Sequence, residues 1–410
     1  MALNYVWLAF FLISFVVALF KTLVLGDAAV FGDVMNSLMA STKTGAEISL
    51  GLIGVMGFWL GIMRIGEKAG VINVFARLVN PFYSKLFPGV PKENPAMGSM
   101  VMNFSATMLG LDNAATPFGL KAMQQLQDLN PSKDTASNAQ IALLVLNSAG
   151  VVIIPTSVIA LRLAAGSANP ADILVPTLIS TFVAFIVGIF VIAAFQRINV
   201  FKLPVLVFLA SFIAIMVALF YWVQSLPPAE IAPRTASLGG VIIFGVIVLF
   251  IVAGLRKKIV VYEAFIEGAK EGFLTAVNII PYLVGMLAAI SVFRATGCMD
   301  YVVNGLAALF SAMGVNTDFV PALPVMFMKP LSGGGARGLM VDILKTYKAD
   351  SFVGRLVSVL QGTTETTFYV ISVYFGSVNI RNTRYALAAG LIADFAGMVA
   401  AILLCYVFFH

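Results

Sequence analysis

Two short stretches of an otherwise apolar chain hold most of the side chains able to do chemistry. In "LQGTTETTF", Leu360 to Phe368, Glu365 stands among Gln361, Thr363, Thr364 and Thr367. A carboxylate near the centre of an apolar helix costs about 2.5 to 3.5 kcal/mol on insertion scales, so it should face a cavity, a cation or a basic partner. Arg337 and Lys329 are the candidate partners, and a buried ion pair bracing the fold is the structural alternative. The hydroxyls and the amide suit hydrogen bonding to a small polar solute, and the acid suits coupling to a proton or sodium ion.

The second stretch, "KPLSGGGARG" from Lys329 to Gly338, spells G-x-G-x-x-G at Gly333, Gly335 and Gly338. A dinucleotide fingerprint requires a preceding strand and an acidic residue about 20 positions on, and a phosphate loop requires Gly-Lys-Ser/Thr. The preceding "FVPALPVMFMKP" offers no such strand, and the Gly-Lys-Ser/Thr ending is missing. What remains is local geometry: Pro330 stops a helix, Gly333 to Gly335 turn the backbone, and Arg337 begins a new helix. Such a break exposes helix-end N–H and C=O groups, which makes Ser332, Gly333 and Gly335 candidate contacts for an ion or polar solute. A third stretch, "NFSATMLGLDNAATPFG", is polar in an apolar context and contributes Asn113 and Thr116, while Asn147 sits opposite Gln361 in a repeat described below. Asn278, Asp394 and Arg355 also lie in apolar spans, where hydrogen bonding between helices explains them equally well.

Membrane helices must position these residues. The chain has 410 residues, 60% hydrophobic and 11% charged, whereas soluble domains carry about a quarter charged residues. Apolar runs of the roughly 20 residues needed to cross a bilayer recur throughout. They predict nine crossings, at about 4–25, 46–64, 138–162, 172–196, 203–225, 236–255, 272–293, 351–378 and 384–408. The first lacks a basic leader and is too long for a secretory signal, so it is read as a retained span. Segments from Asp27, Glu67 and Val260 are periodic but too polar to cross, and are expected to lie at the interface or to pack as amphipathic helices on protein. Pro95 to Leu126 and Phe319 to Tyr347 are interrupted by Gly, Pro and polar residues, as broken helices or re-entrant hairpins are.

With Cys298, Cys405 and the terminal His410 as the whole complement of Cys and His, no disulfide framework or Cys/His metal site is expected. No cofactor is expected, and without a nucleophile and base together the chain reads as no enzyme. The net charge of +6 comes from Lys and Arg beside span ends, the pattern of cytoplasmic loops rather than of nucleic-acid binding.

Residues 45–162 and 272–374 repeat one order of parts: span, interfacial helix, broken segment, charged loop, span. "GLKAMQQL" from Gly119 faces "GLMVDILK" from Gly338, and "LLVLNSAGVVIIPTSV" faces "VSVLQGTTETTFYVIS". If the broken segments re-enter, the Lys/Arg clusters share one side and the repeats are inverted; if they cross, the repeats are parallel. Inverted repeats are the expectation, with units at 1–200 and 231–410 and a connecting helix at 201–230. Internal duplication of broken-helix units marks secondary transporters, although a channel or scaffold could share it.

"LGLDNAATPFGLKAMQQLQ" resembles the hallmark of spore maturation protein A, and the stretch from "KPLSGGGARG" through "LQGTTETTFYVISVYFGSV" that of spore maturation protein B. Both belong to the Gate, or nucleoside-recognition, membrane domain family, and the likeness covers nearly the whole chain as a fusion. The resemblance implies a gated, transport-like membrane core. It carries over Asn113, Ala114, Thr116, Pro117 and Gly119 in the first half. In the second it carries over Pro330, Ser332, Gly333, Gly335, Gln361, Thr363, Thr364, Glu365 and Thr367. Ala336-Arg337 departs from the smaller, uncharged pattern expected there.

The reading is an all-α, multi-pass protein of the bacterial inner membrane that moves a small polar solute, nucleoside-like, amino acid or dipeptide. The alternative is a non-transporting scaffold or assembly factor. Expected partners are the lipid bilayer, the solute, a coupling proton or sodium ion, and a second copy in a homo-oligomer, with no nucleic acid and no metal.

Overall fold

The computed structural model describes residues 2–91, 93–110 and 112–410, without the side chains of 2, 3, 112–114, 228, 229 and 232. The first half runs through α1 (Ala2–Val24), α2 (Val30–Lys68), α3 (Val71–Leu86), α4 (Pro95–Met108), α5 (Asp112–Asp128), α6 (Asn138–Ser148), α7 (Thr156–Ala164) and α8 (Leu174–Gln196). After the connector α9 (Leu203–Gln224) come α10 (Pro228–Arg256), α11 (Val261–Ala295), α12 (Cys298–Ala312), α13 (Leu323–Leu331), α14 (Gly333–Tyr347), α15 (Phe352–Thr363), α16 (Thr367–Gly376) and α17 (Ala386–Phe409). The protein is an all-α polytopic membrane protein, as its hydropathy implies, because a helix satisfies its own backbone in lipid.

Among the described residues seven helices, not nine, are long and apolar enough to cross a membrane unbroken. The expected continuous spans at 138–162 and 351–378 are each interrupted, between α6 and α7 and between α15 and α16. Hydropathy averaged over a window does not register a backbone break whose flanks are apolar. The segments expected to be separate interfacial helices at Asp27 and Val260 instead run on into α2 and α11. No proline separates them from the following span, and Gly45, Gly268 and Gly272 are used for packing. The third such segment does form its own helix, α3, whose Val79, Phe82, Tyr83 and Leu86 are buried against protein.

The order α2, α3, α4–α5, α6–α7, α8 recurs as α11, α12, α13–α14, α15–α16, α17, preceded by α1 and α10 respectively. Two pairs of equivalent helices lie side by side and antiparallel. On α2 and α11, Gly45 meets Val284, while Gly61 meets Phe265. On α8 and α17, Gly188 approaches Ala393 and Gly397 approaches Ala184. Antiparallel pairing of equivalent helices is what an axis in the membrane plane produces, so the repeats are inverted. The pair α4–α5, with Gly110 between them at φ of 72°, and the pair α13–α14 make two hairpins. α4 has 14 residues and α13 has 9, spanning about 21 and 14 Å at 1.5 Å per residue, well short of the hydrocarbon core. Both hairpins therefore re-enter.

The α2–α11 seam depends on small residues. A Cβ at Gly272 would lie 2.5 Å from the Met56 carbonyl oxygen, and one at Gly268 would strike the carbonyl of Leu60. The obstacles are backbone, which cannot rotate aside. Gly272→Val should therefore lower stability by about 1–3 kcal/mol or more, as overpacking does. A thermal melt of the purified protein in detergent checks this; an unchanged midpoint would mean that the seam is not closely packed.

Candidate functional site

Each interrupted helix starts from a serine cap. Ser137 accepts the Gln140 N–H in a reciprocal capping box, and Ser351 accepts the Gly354 N–H at 3.0 Å. The first helix unwinds over 149–155, a stretch containing Gly150 and ending in Pro155, which has no N–H to continue a helix. The second unwinds at Thr364, Glu365 and Thr366, where Thr364 is fully extended (φ −139°, ψ 164°). Hydroxyl-bearing residues offer the backbone local alternatives to the helical ladder, which favours a break there.

The two breaks satisfy one another. The Glu365 N–H donates to the Ser148 carbonyl at 2.8 Å, and the Ile153 N–H donates to Met108 at the end of α4, 2.9 Å away. The Ser148 and Thr367 hydroxyls are 2.5 Å apart, and the Thr367 hydroxyl reaches Asp394 Oδ2 at 2.6 Å. One broken helix from each repeat thus crosses the other at its interruption.

Around this crossing lies a cavity of about 1200 Å³. The first hairpin lines it with Thr107 and Thr116, the first break with Asn147, and α11 with Thr275, Asn278 and Tyr282. The second hairpin contributes Lys329, Ser332, Gly333 and Arg337; the second break contributes Gln361, Thr364 and Glu365. Gln361 is 4% exposed, and its Oε1 has no hydrogen-bond partner among the described residues. An amide oxygen buried without a protein partner against a polar cavity is placed to meet a solute or water. A second cavity of about 210 Å³ shares Thr156, Thr275 and Arg337 with the first and reaches Arg64, Glu67 and Glu271. Arg337 stands between the two.

Three expected contacts are not on the cavity wall. The Gly335 N–H is taken by the Ser332 hydroxyl at 3.0 Å, closing the cap of α14. The Thr363 hydroxyl bonds the Val359 carbonyl at 2.7 Å and meets Ser180 on α8 at 2.8 Å. Thr367 is turned to Ser148 and Asp394. These residues brace the break because helical rotation carries them to its protein-facing side. The Asn113 side chain, like that of Ala114, lies outside the described residues. Glu365 forms no salt bridge with Arg337 or Lys329 among the described residues; ion pairs within apolar surroundings run elsewhere, through Arg162 and Asp172 and between Arg294 and Asp342.

Sequence reasoning missed Tyr374, the residue that ties the first hairpin to both breaks. Its phenolic oxygen accepts from Asn147 at 2.9 Å and from Asn103 at 3.3 Å, and Asn103 also donates to the Ala115 carbonyl at 2.8 Å. Gly119 leaves room for that phenol. A tyrosine in an aromatic-rich span gives no distinguishing signal.

Arg162 was missed as well. It is wholly buried, with Asp172 and Asp350 each at 2.9 Å and the Ala349 carbonyl at 2.8 Å. Arg355 closes on Asp172 at 2.7 Å. Burial pushes the Asp172 carboxyl up, against the lowering charges of Arg162 and Arg355. Burial also acts upward on Asp350, but hydrogen bonds from Ser167 and the Ala168 N–H, with Arg162, outweigh it and hold that carboxyl below the usual range. The cluster fastens the loop before α8 to the loop before α15, across the two repeats.

A family model described as Gate, nucleoside recognition, matches residues 49–239 and 276–381. Spore maturation protein B of Bacillus subtilis (strain 168) is 44% identical over 172 residues, which are 42% of this chain and 90% of that protein. Spore maturation protein A of the same organism is 38% identical over 188 residues, 46% of this chain and 92% of that protein. Two relatives, each matching about half of the chain, accord with a fusion of both.

Removing one partner of a buried ion pair leaves an uncompensated charge, at about 3–5 kcal/mol. Asp172→Asn should therefore destabilise the fold by roughly that amount, read from the loss of the monodisperse peak on heating in detergent. For Asp350 the sign follows from its lowered value: its contribution is present above the ordinary aspartate range and disappears as the pH falls through the depressed one. Asp350→Asn should flatten that acid limb of the stability profile; a profile indistinguishable from that of the parent would count against the clamp.

Proposed function

We propose, for a chain that belongs to the Gate (nucleoside recognition) family, that it is a secondary transporter moving a small polar solute across the bacterial inner membrane. Nucleoside-like compounds, amino acids and dipeptides all match the lining chemistry. The observation that carries this reading is the crossing of two broken helices, one per inverted repeat, beside a cavity of about 1200 Å³ lined by Gln361, Thr364, Glu365, Asn147 and Thr116. That volume slightly exceeds the roughly 300–1,000 Å³ of small-molecule sites, which leaves room for a solute with water.

The mechanism follows from which parts are rigid. α2 and α11 are locked by close glycine contacts and by the pairing of Glu267 with Arg64 and Lys68. The hairpins re-enter without crossing and are the parts free to shift. Solute would bind between the hairpin tips and the breaks, with Gln361 and Asn147 supplying amide contacts and Glu365 a charged one. Movement of one hairpin with its broken helix opens one side, and movement of its inverted counterpart opens the other. The smaller cavity past Arg337 toward Arg64 and Glu67 is the exit on one side. A proton or sodium ion would drive the cycle. We assign the repeats to residues 1–200 and 231–410, with residues 201–230 as the connector.

Purified protein in liposomes tests the reading with labelled uridine, leucine and glycylglycine. Uptake of one of them is expected. A hydrogen bond to a charged group is worth about 1.5–3 kcal/mol, so Glu365→Gln should reduce transport about ten- to hundredfold. Unchanged flux in that variant would remove Glu365 from the mechanism, and absence of flux with all three would favour a scaffold.

A further inference from the structure

Asp394 lies in the first half of α17, in an apolar helix, and is 1% exposed. Its Oδ2 accepts a hydrogen bond from Thr367 at 2.6 Å; its Oδ1 has no hydrogen-bond partner among the described residues. Among the described residues no salt bridge reaches it. The Thr367 hydroxyl also meets Ser148, whose carbonyl receives the Glu365 N–H, so the carboxyl is wired to the point where the two broken helices cross. It stands behind the cavity wall rather than on it, and none of the solute contacts proposed above uses it.

An ionised carboxylate in that position has lost its hydration and, among the described residues, has the Thr367 hydroxyl bonded to it, the Thr364 hydroxyl nearby and no counter-ion in contact. Burying such a charge costs several kcal/mol, and the group can avoid the cost by taking a proton. The charged groups that face it are Lys329 on α13 and Glu365 in the break, of opposite sign. α6 and α8 bring no titratable side chain, and α16 brings Tyr369 and Tyr374. Arg355 on α15 is engaged with Asp172, and on α10 the charges are Glu230, Arg234 and Arg256, near that helix's ends.

We propose that Asp394 is a proton-binding site, occupied in the arrangement described, that couples proton movement to motion of the second hairpin. The hairpin carries Lys329. A shift that brings its ammonium toward Asp394 stabilises the carboxylate and releases the proton from Oδ1; the reverse shift takes a proton up. Protonation therefore lets the hairpin move away without stranding a charge in a dry position. The coupling role rests on the transport reading, whereas the proton site itself does not.

Infrared difference spectra of the full-length protein, recorded across a pH series, test the site. The expected result is a carbonyl band of an un-ionised buried carboxyl group at neutral pH that fades as the pH is raised. It should be lost in Asp394→Asn, retained in Glu365→Gln and shifted in frequency in Thr367→Val, which removes its hydrogen bond. The Thr367→Val shift decides the matter if Asp394→Asn fails to fold. A neutral-pH band that persists in Asp394→Asn, or the absence of any such band, overturns the proposal. So does a melting temperature raised by sodium but not by choline and insensitive to sodium in Asp394→Asn, because the site would then hold a metal cation. In liposomes, accumulation of uridine, leucine or glycylglycine driven by an imposed proton gradient should fall in Asp394→Asn to simple equilibration. If the band behaves as expected but none of these compounds moves, the proton site stands and the transport reading fails.

Discussion

A backbone N–H or C=O left unpaired in a dry membrane interior costs several kcal/mol, and the centre of this protein is arranged around that penalty. Two helices stop midway, each leaving groups that its own ladder no longer pairs. The Glu365 N–H and the Ser148 carbonyl answer one another across the repeats, and Ile153 answers Met108 of the first hairpin. Each break is therefore tolerable because remote segments complete it, the second break through the first and the first also through its hairpin. The Glu365–Ser148 bond marks where the helices cross, and Asn147, Gln361 and Glu365 stand there around one cavity.

Two kinds of packing then divide the molecule. The α2–α11 and α8–α17 pairs are close, antiparallel and dependent on small residues, the means by which helices associate where no hydrophobic force separates lipid from protein. The hairpins pack their apolar faces into the core as well, and add polar contacts to it. Tyr374 with Asn103 and Asn147 secures the first, and the Ser332 cap shapes the second. Polar contacts exchange partners at lower cost than interdigitated backbone, which distinguishes these contacts from the glycine-dependent seams.

Charge is distributed to match. Arg162, Asp172, Asp350 and Arg355 compensate one another at the loops, where they fasten the repeats together. At the centre, Glu365 and Arg337 line the cavity without forming a salt bridge to each other, and Asp394 is held behind it through a hydroxyl. A clamp needs neutralised partners, whereas a binding site needs groups whose partners arrive from solution.

Much of this was legible in the residues themselves. Apolar length gave the seven unbroken crossings, and the interruptions at Gly110 and at Ser332 gave the hairpins, because Gly, Pro and hydroxyl residues act on the backbone within a few positions. The duplication was visible for the same local reason, part by part. What tertiary structure alone decided was partnership. Whether Thr363 and Thr367 face the cavity or brace the break depends on which helix lies behind them. Whether Glu365 pairs with Arg337 depends on distances between separate hairpins. The breaks in the two spans read as continuous are a matter of the same kind, since an unwound stretch survives in lipid only if a remote segment completes its hydrogen bonds. Composition and local chemistry thus settled that the chain crosses a membrane and where it can bend; contacts hundreds of residues apart settled which of those bends are held open.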